Sequence, residues 1–135
     1  YTVGSNVSGN NYVAYVFAEI EGYSKFGKYE GNSSANGTFV YLGFRPRMIW
    51  LKNIDTAWNW NIHDTARDTT NVDATSLFAD SNVVENGIGN ASDWQVDMLS
   101  NGFKLRENTN YINQTGKTVV YLAFAEAQFK FSNAR

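Results

Sequence analysis

The stretch Trp58-Asn59-Trp60-Asn61-Ile62-His63-Asp64 sets a large apolar side chain at every second position and polar ones between them. A strand turns successive side chains to opposite faces, whereas a helix repeats near every 3.6 residues. The stretch therefore predicts a strand, with Trp58, Trp60 and Ile62 on a core face and Asn59, Asn61 and His63 facing outward. The same regularity argues against a helix over residues 54–67, where propensity alone is mixed.

Two further alternations lie downstream. Trp94, Val96 and Met98 alternate with Gln95 and Asp97, and Phe103 and Leu105 alternate with Lys104 and Arg106. Between them, Asn101-Gly102 predicts a hairpin, because both residues tolerate positive φ. Residues 12–20, 38–44, 48–51 and 118–125 are apolar on both faces and read as central strands. Clusters rich in Asn, Ser and Gly at residues 8–11, 31–37, 86–92 and 108–116 separate these runs as turns. A short helical turn fits near residues 73–80. Many short strands broken by turns predict an all-β chain of two packed antiparallel sheets, a β-sandwich forming one domain over residues 1–135.

A faint echo links Phe17-Ala18-Glu19 with Phe124-Ala125-Glu126, and Val40-Tyr41-Leu42 with the middle of the second run. Either these runs share neighbours in one sheet, or they are alike by chance. The spacing is too irregular for a solenoid.

Composition bounds the chemistry. Hydrophobic residues make up 43% of the 135 residues, enough for a core that needs no staples, and there is no Cys. Disulfides, thiolate catalysis and Cys-based zinc sites are thereby excluded. The 11 basic residues are scattered among 13 acidic ones for a net charge of −2, which argues against a nucleic-acid partner. No apolar stretch approaches the roughly 20 residues of a membrane-spanning helix, so no membrane insertion is expected. The chain opens at Tyr1 and not at Met, which suggests a piece of a longer protein.

Catalytic constellations are sparse. His63 is the only histidine, and its neighbours Asn59 and Asn61 on the expected outward face supply neither nucleophile nor orienting carboxylate. Asp93 and Asp97, four apart on an extended strand, would stand about 13 Å apart, too far to flank a glycosidic bond. Glu19 and Glu126 end similar runs and read as solvated strand ends. Asp64, Arg67 and Asp68 read as a structural cluster, an Arg holding a loop by bonds to two carboxylates. One histidine cannot build a zinc site, no calcium-loop motif is present, and no cofactor or metal is expected. Loop calcium through Asp73, Asp80 and Asp93 is left open by the sequence. The chain reads as a binding module and not as an enzyme.

Sugar recognition pairs a flat ring with amides and carboxylates, because sugar C–H faces are apolar while hydroxyls need partners. Trp94, beside Asn90, Ser92 and Asp93 at a loop-to-strand junction, is the better surface aromatic candidate, although a core position is favoured even for it. Asn59, Asn61 and His63 are the other candidate ligand-binding side chains. Trp58 and Trp60 are assigned to the core.

The same residues carry a resemblance. Asn10-Asn11-Tyr12-Val13-Ala14-Tyr15, Phe17-Ala18-Glu19 and the run Gly22-Tyr23-Ser24-Lys25-Phe26-Gly27-Lys28-Tyr29-Glu30-Gly31-Asn32 resemble the start of a module of tailed-bacteriophage virion proteins. The likeness continues through Gly43-Phe44-Arg45-Pro46, Ile49 to Lys52, Trp60 to Asp64 and Arg67-Asp68. It closes with Leu99-Ser100-Asn101-Gly102-Phe103-Lys104-Leu105 and Tyr121-Leu122-Ala123-Phe124-Ala125-Glu126. It thus spans nearly the whole chain. The resemblance implies a jelly-roll or lectin-like β-sandwich near the C-terminal end of a tail fibre or tail-associated protein, with Phe129 to Arg135 as the true terminus. It further implies exposure on the virion, contact with other virion proteins and assembly with copies of itself, as a trimer in fibres. Recognition of a host-surface glycan or protein is a compatible role, and capsid decoration an alternative one. The resemblance assigns no functional residue.

Overall fold

The computed structural model describes residues 9, 11 and 15–126. The expected turn at residues 8–11, the start of the run at residues 12–20 and the expected terminus at residues 129–135 lie largely or wholly outside the described residues.

Residues 118–125 open with three β-branched side chains and carry Tyr121 and Phe124, a composition suited to a pleated surface. They form β8, Thr118–Ala125, which lies between β1, Ser24–Glu30, and β3, Pro46–Asn53. Pro46 stands at the first position of β3, where its missing N–H costs least. β4, Asn61–Asp64, and the two-residue β5, Leu77–Phe78, complete a sheet ordered β1-β8-β3-β4-β5. The second sheet has the order β2-β7-β6, with β2 at Phe39–Tyr41, β6 at Val96–Leu99 and β7 at Gly102–Leu105. Every ladder is antiparallel. The chain is the expected all-β sandwich of two antiparallel sheets. Among the described residues no helix is long and apolar enough to cross a membrane.

The core lies between the sheets. Ile49, Leu51, Val119 and Ala123 of the larger sheet meet Val40, Val96, Met98, Phe103 and Leu105 of the smaller one. The Phe103 ring stands edge-on to Tyr29 at 6.0 Å and to Tyr121 at 5.7 Å, tying the layers together.

The alternations at β6 and β7 hold, with Val96, Met98, Phe103 and Leu105 buried. The hairpin joins them, but not by the expected chemistry. Leu99 pairs with Gly102, so Ser100 and Asn101 form the loop, and neither Asn101 nor Gly102 has positive φ. Gly102 is needed for another reason: a Cβ there would stand 2.1 Å from the Val40 carbonyl oxygen on β2. Residues 48–51 and 118–125 are central strands as expected. Residues 38–44 give only β2, at the edge of the smaller sheet. Residues 15–19 form no strand, and Ile20 makes a single bridge to Ser24. Val40 and residues 118–125 lie in different sheets, so a shared sheet does not explain their echo. The expected turn at residues 73–80 is replaced by β5, and the 3-10 turn falls instead at Ala91–Trp94.

Candidate functional site

Strand register builds the principal surface feature. On the outer face of the larger sheet Phe26 pairs with Leu122, Leu122 with Trp50, Trp50 with Ile62 and Ile62 with Leu77. One row of large apolar side chains therefore crosses all five strands with no charge in it. Leu77 is exposed and the other four are half-buried. Phe124 and Met48, also half-buried, extend it on one flank, ending at Asp64 on β4. Lys28, Val120 and Lys52 flank it on the other side. The outer face of a sandwich sheet is ordinarily the polar one, so the apolar content of this face is its distinguishing property.

Residues 15–20 lie against this face. Phe17 packs 5.5 Å from Phe124 and 5.9 Å from Phe26, centroid to centroid. The backbone of the segment is tied to the β1 edge, where Glu19 Oε1 accepts the Phe26 N–H at 2.9 Å and Ser24 Oγ donates to the Ala18 carbonyl at 2.8 Å. A groove of about 560 Å³ opens between this segment and the sheet, lined by Phe17, Tyr23, Met48, Trp50, Leu122 and Phe124 among others. A second hollow of about 350 Å³ adjoins it at Tyr15, Trp50, Trp60, Asp80 and Leu122. There the Trp50 and Trp60 rings meet edge to face at 6.5 Å. Asp80 Oδ1 accepts the Trp60 N–H at 3.0 Å and the Asn59 side-chain amide at 3.1 Å, which fixes the carboxylate beside the rings. The indole N–H of Trp50 is buried and has no protein partner.

The outward face expected for Asn59, Asn61 and His63 is corrected by this geometry. Asn61 and His63 are fully buried between the sheets, while Ile62 faces out. Distant loop residues meet part of their polarity: the Asn61 side-chain amide donates to Ser76 Oγ, and His63 Nδ1 stands 3.2 Å from Asp73 Oδ1, while Asn61 Oδ1 and His63 Nε2 have no protein partner. Trp60, assigned to the core from its alternation, lines the outer hollow. Trp58 is half-buried, its ring 4.5 Å from that of Tyr111. Asn59 alone of the three polar residues keeps a place at the outer hollow, through Asp80.

Trp94 is not a surface aromatic. It is fully buried, its indole N–H donates to the Ile88 carbonyl at 2.7 Å, and its ring lies 4.4 Å from Tyr111 and 5.2 Å from Phe78. Asn90 and Asp93 serve its loop, since Asp93 Oδ2 accepts the Asn90 N–H at 2.8 Å and the Asn90 amide at 3.3 Å. Asp93 sits in the 3-10 turn and Asp97 in β6, where it pairs with Arg106 at 3.2 Å. Glu126 pairs with Arg45 at 2.6 Å, whereas Glu19 accepts the Phe26 N–H at 2.9 Å.

The structural cluster is re-partnered. Arg67 Nε donates to Asp64 Oδ2 at 2.5 Å, another guanidinium N–H donates to Glu85, and a third reaches the Ile62 carbonyl at 3.2 Å. The Asp68 carboxylate takes no part in it and instead accepts the backbone N–H groups of Thr70 and Ala74 at 3.3 and 3.2 Å, while the Asp68 N–H donates to the Asp64 carbonyl at 3.3 Å. Burial acts to push the Asp64 carboxyl up, but the Arg67 guanidinium and backbone N–H groups hold it below the usual carboxylate range. Burial likewise opposes ionisation at Asp68, and the Ala74 and Thr70 donors outweigh it.

Sequence reading missed Glu107. It is 2% exposed, its Oε2 accepts the Thr109 N–H and hydroxyl, and its Oε1 has no partner. Burial, aided by Asp93, pushes its carboxyl up to about 7 against those donors. Nothing in the polar loop at residues 107–110 announces a buried acid. Among the described residues no group of three His, Asp or Glu side chains is placed to hold a metal ion.

The chain belongs to the family described as Domain of unknown function (DUF7483), whose model matches residues 1–128. No curated protein and no solved structure matches it.

Proposed function

We propose that the chain is a structural module of a tailed-bacteriophage virion, placed in a tail fibre or similar appendage, and that it works by assembly and surface binding without catalysis. The observation that carries the binding role is the apolar row Phe26-Leu122-Trp50-Ile62-Leu77 on the outside of the larger sheet. Contiguous apolar surface left partly open to water marks interaction sites, since water contact with it is costly. The virion setting rests on the sequence resemblance described above. Burial of the only histidine, with Nδ1 turned to Asp73, supports a non-catalytic role, because no substrate reaches His63 from outside.

Immunogold electron microscopy of purified particles with antibodies to this chain tests the setting. Labelled tails are expected. Labelled heads select capsid decoration instead, and unlabelled particles overturn the virion reading.

A second reading, host-glycan recognition, draws on one specific feature. The Trp50–Trp60 corner beside the fixed Asp80 carboxylate offers a ring face and a hydrogen-bond acceptor together. A glycan array with the whole chain and with Trp60→Ala as control tests it. Signal lost in the variant supports the corner, and an array without signal removes it.

A further inference from the structure

We infer that the occupant of the apolar outer face is a second copy of this chain, docked through the larger sheet together with residues 15–17. The inference rests on the assembly reading above and names its partner and surface.

Two surfaces side by side in one chain are each incompletely covered. One is the row from Phe26 to Leu77, with its open groove of about 560 Å³. The other is the adjoining segment, where Tyr15 is 82% exposed and Val16 is 90% exposed although neither carries a charge. Phe17 shows that this segment has affinity for the face, since its ring already lies against Phe26 and Phe124. Each copy therefore carries both an apolar arm and an apolar receiving face.

Area points the same way. Five strands at their usual spacing and the length of β3 and β8 give a face of roughly 500 Å². A stable interface takes about 800 Å² per partner, so the face alone falls short. Tyr15 adds on the order of 150 Å² of ring surface, and Val16 adds more. Phe17 already covers part of the face at Phe26 and Phe124, and the open remainder with the arm approaches the size of a specific contact between copies. Arg47 and Asp64 also line the groove but stand outside the row, so the row itself is uncharged, as the core of an interface is.

Sedimentation velocity of the whole chain from about 1 to 100 µM tests the inference, with Val16→Asp and Leu77→Lys as variants. Both substitutions fall on exposed side chains, so the fold tolerates them; circular dichroism confirms this. The wild-type chain is expected to sediment as a multiple of 15.2 kDa, with each variant weakening association at least tenfold. A wild-type chain that stays monomeric throughout overturns the inference. So does an oligomer that both variants leave unchanged, because the contact then lies elsewhere. Neither result touches the virion reading, which immunogold labelling decides separately.

Discussion

His63 Nδ1 stands 3.2 Å from Asp73 Oδ1 with both side chains wholly enclosed between the sheets. Asp73 also accepts the Thr75 N–H at 3.0 Å and forms a bridge with Val96 on β6. The pair thus pins a loop of residues 65–76 to both layers. Asp73→Ala leaves His63 and the Thr75 N–H without their acceptor, and an unmet buried polar group costs about 1–3 kcal/mol. The variant is expected to lose about 3 kcal/mol in urea unfolding. A His63→Leu, Asp73→Ala double variant is expected to lose less than the sum of the two single changes, because the pair is removed as a unit.

Glu107 makes stability depend on pH in a definite direction. Its folded pKa of about 7 lies above the ordinary 4.5, so the unfolded chain gives up the proton first as pH rises. The unfolded state then binds fewer protons, and stability declines through the window from about pH 4.5 to 7. Glu107→Gln is expected to flatten this decline and to be more stable than wild type at pH 8 by about 2 kcal/mol. Thermal unfolding from pH 4 to 8 reads the difference. Equal slopes for the two proteins would refute it.

The Arg67 bridge to Asp64 and Glu85 holds residues 64–85 together from the outside. Arg67→Ala is expected to cost about 1–2 kcal/mol, as charge-assisted bonds at a partly exposed site do. It should also speed protease cleavage near Glu85. Asp68→Asn is expected to leave that cleavage rate unchanged, because Asp68 holds a different turn.

Two glycines separate space from backbone conformation. Gly102→Ala drives a Cβ to 2.1 Å from the Val40 carbonyl oxygen and is expected to part β2 from β7, at more than about 2 kcal/mol. Gly116 has φ +70° and open space around its Cβ position, so Gly116→Ala is expected to cost only about 1 kcal/mol. Urea midpoints that rank the two the other way would contradict the β2–β7 contact.

Legibility in the sequence followed where the hydrogen-bond partners sit. The β6–β7 hairpin was readable because Val96, Met98, Phe103 and Leu105 alternate cleanly and the partner strand is two residues away. The alternation from Trp58 to Asp64 marks a strand, but only its second half, Asn61–Asp64, forms β4, and its faces lie opposite to the expected ones. Alternation gives the period and not the side; hydropathy put the tryptophans inside. What reverses it is Ser76 and Asp73, 15 and 10 residues along, which make the interior hospitable to Asn61 and His63. The outer face then takes Trp50, Trp60 and Ile62, an arrangement that contradicts the usual link between apolar and buried. Residues 15–20 misread as a central strand for the same reason: their apolar side chains serve an outer surface. Trp94 takes the buried place favoured for it, and the polar neighbours that make it a surface candidate bond locally within the loop.

Assembly through the larger sheet predicts that its outer face is hidden from solvent when copies associate. Hydroxyl-radical footprinting of the chain at about 1 and 100 µM tests it most directly. Met48, Trp50, Leu77 and Leu122 are expected to react less at the higher concentration while Phe39 and Tyr41 on β2 do not change. Unaltered reactivity across the sheet, or protection confined to β2, would contradict it.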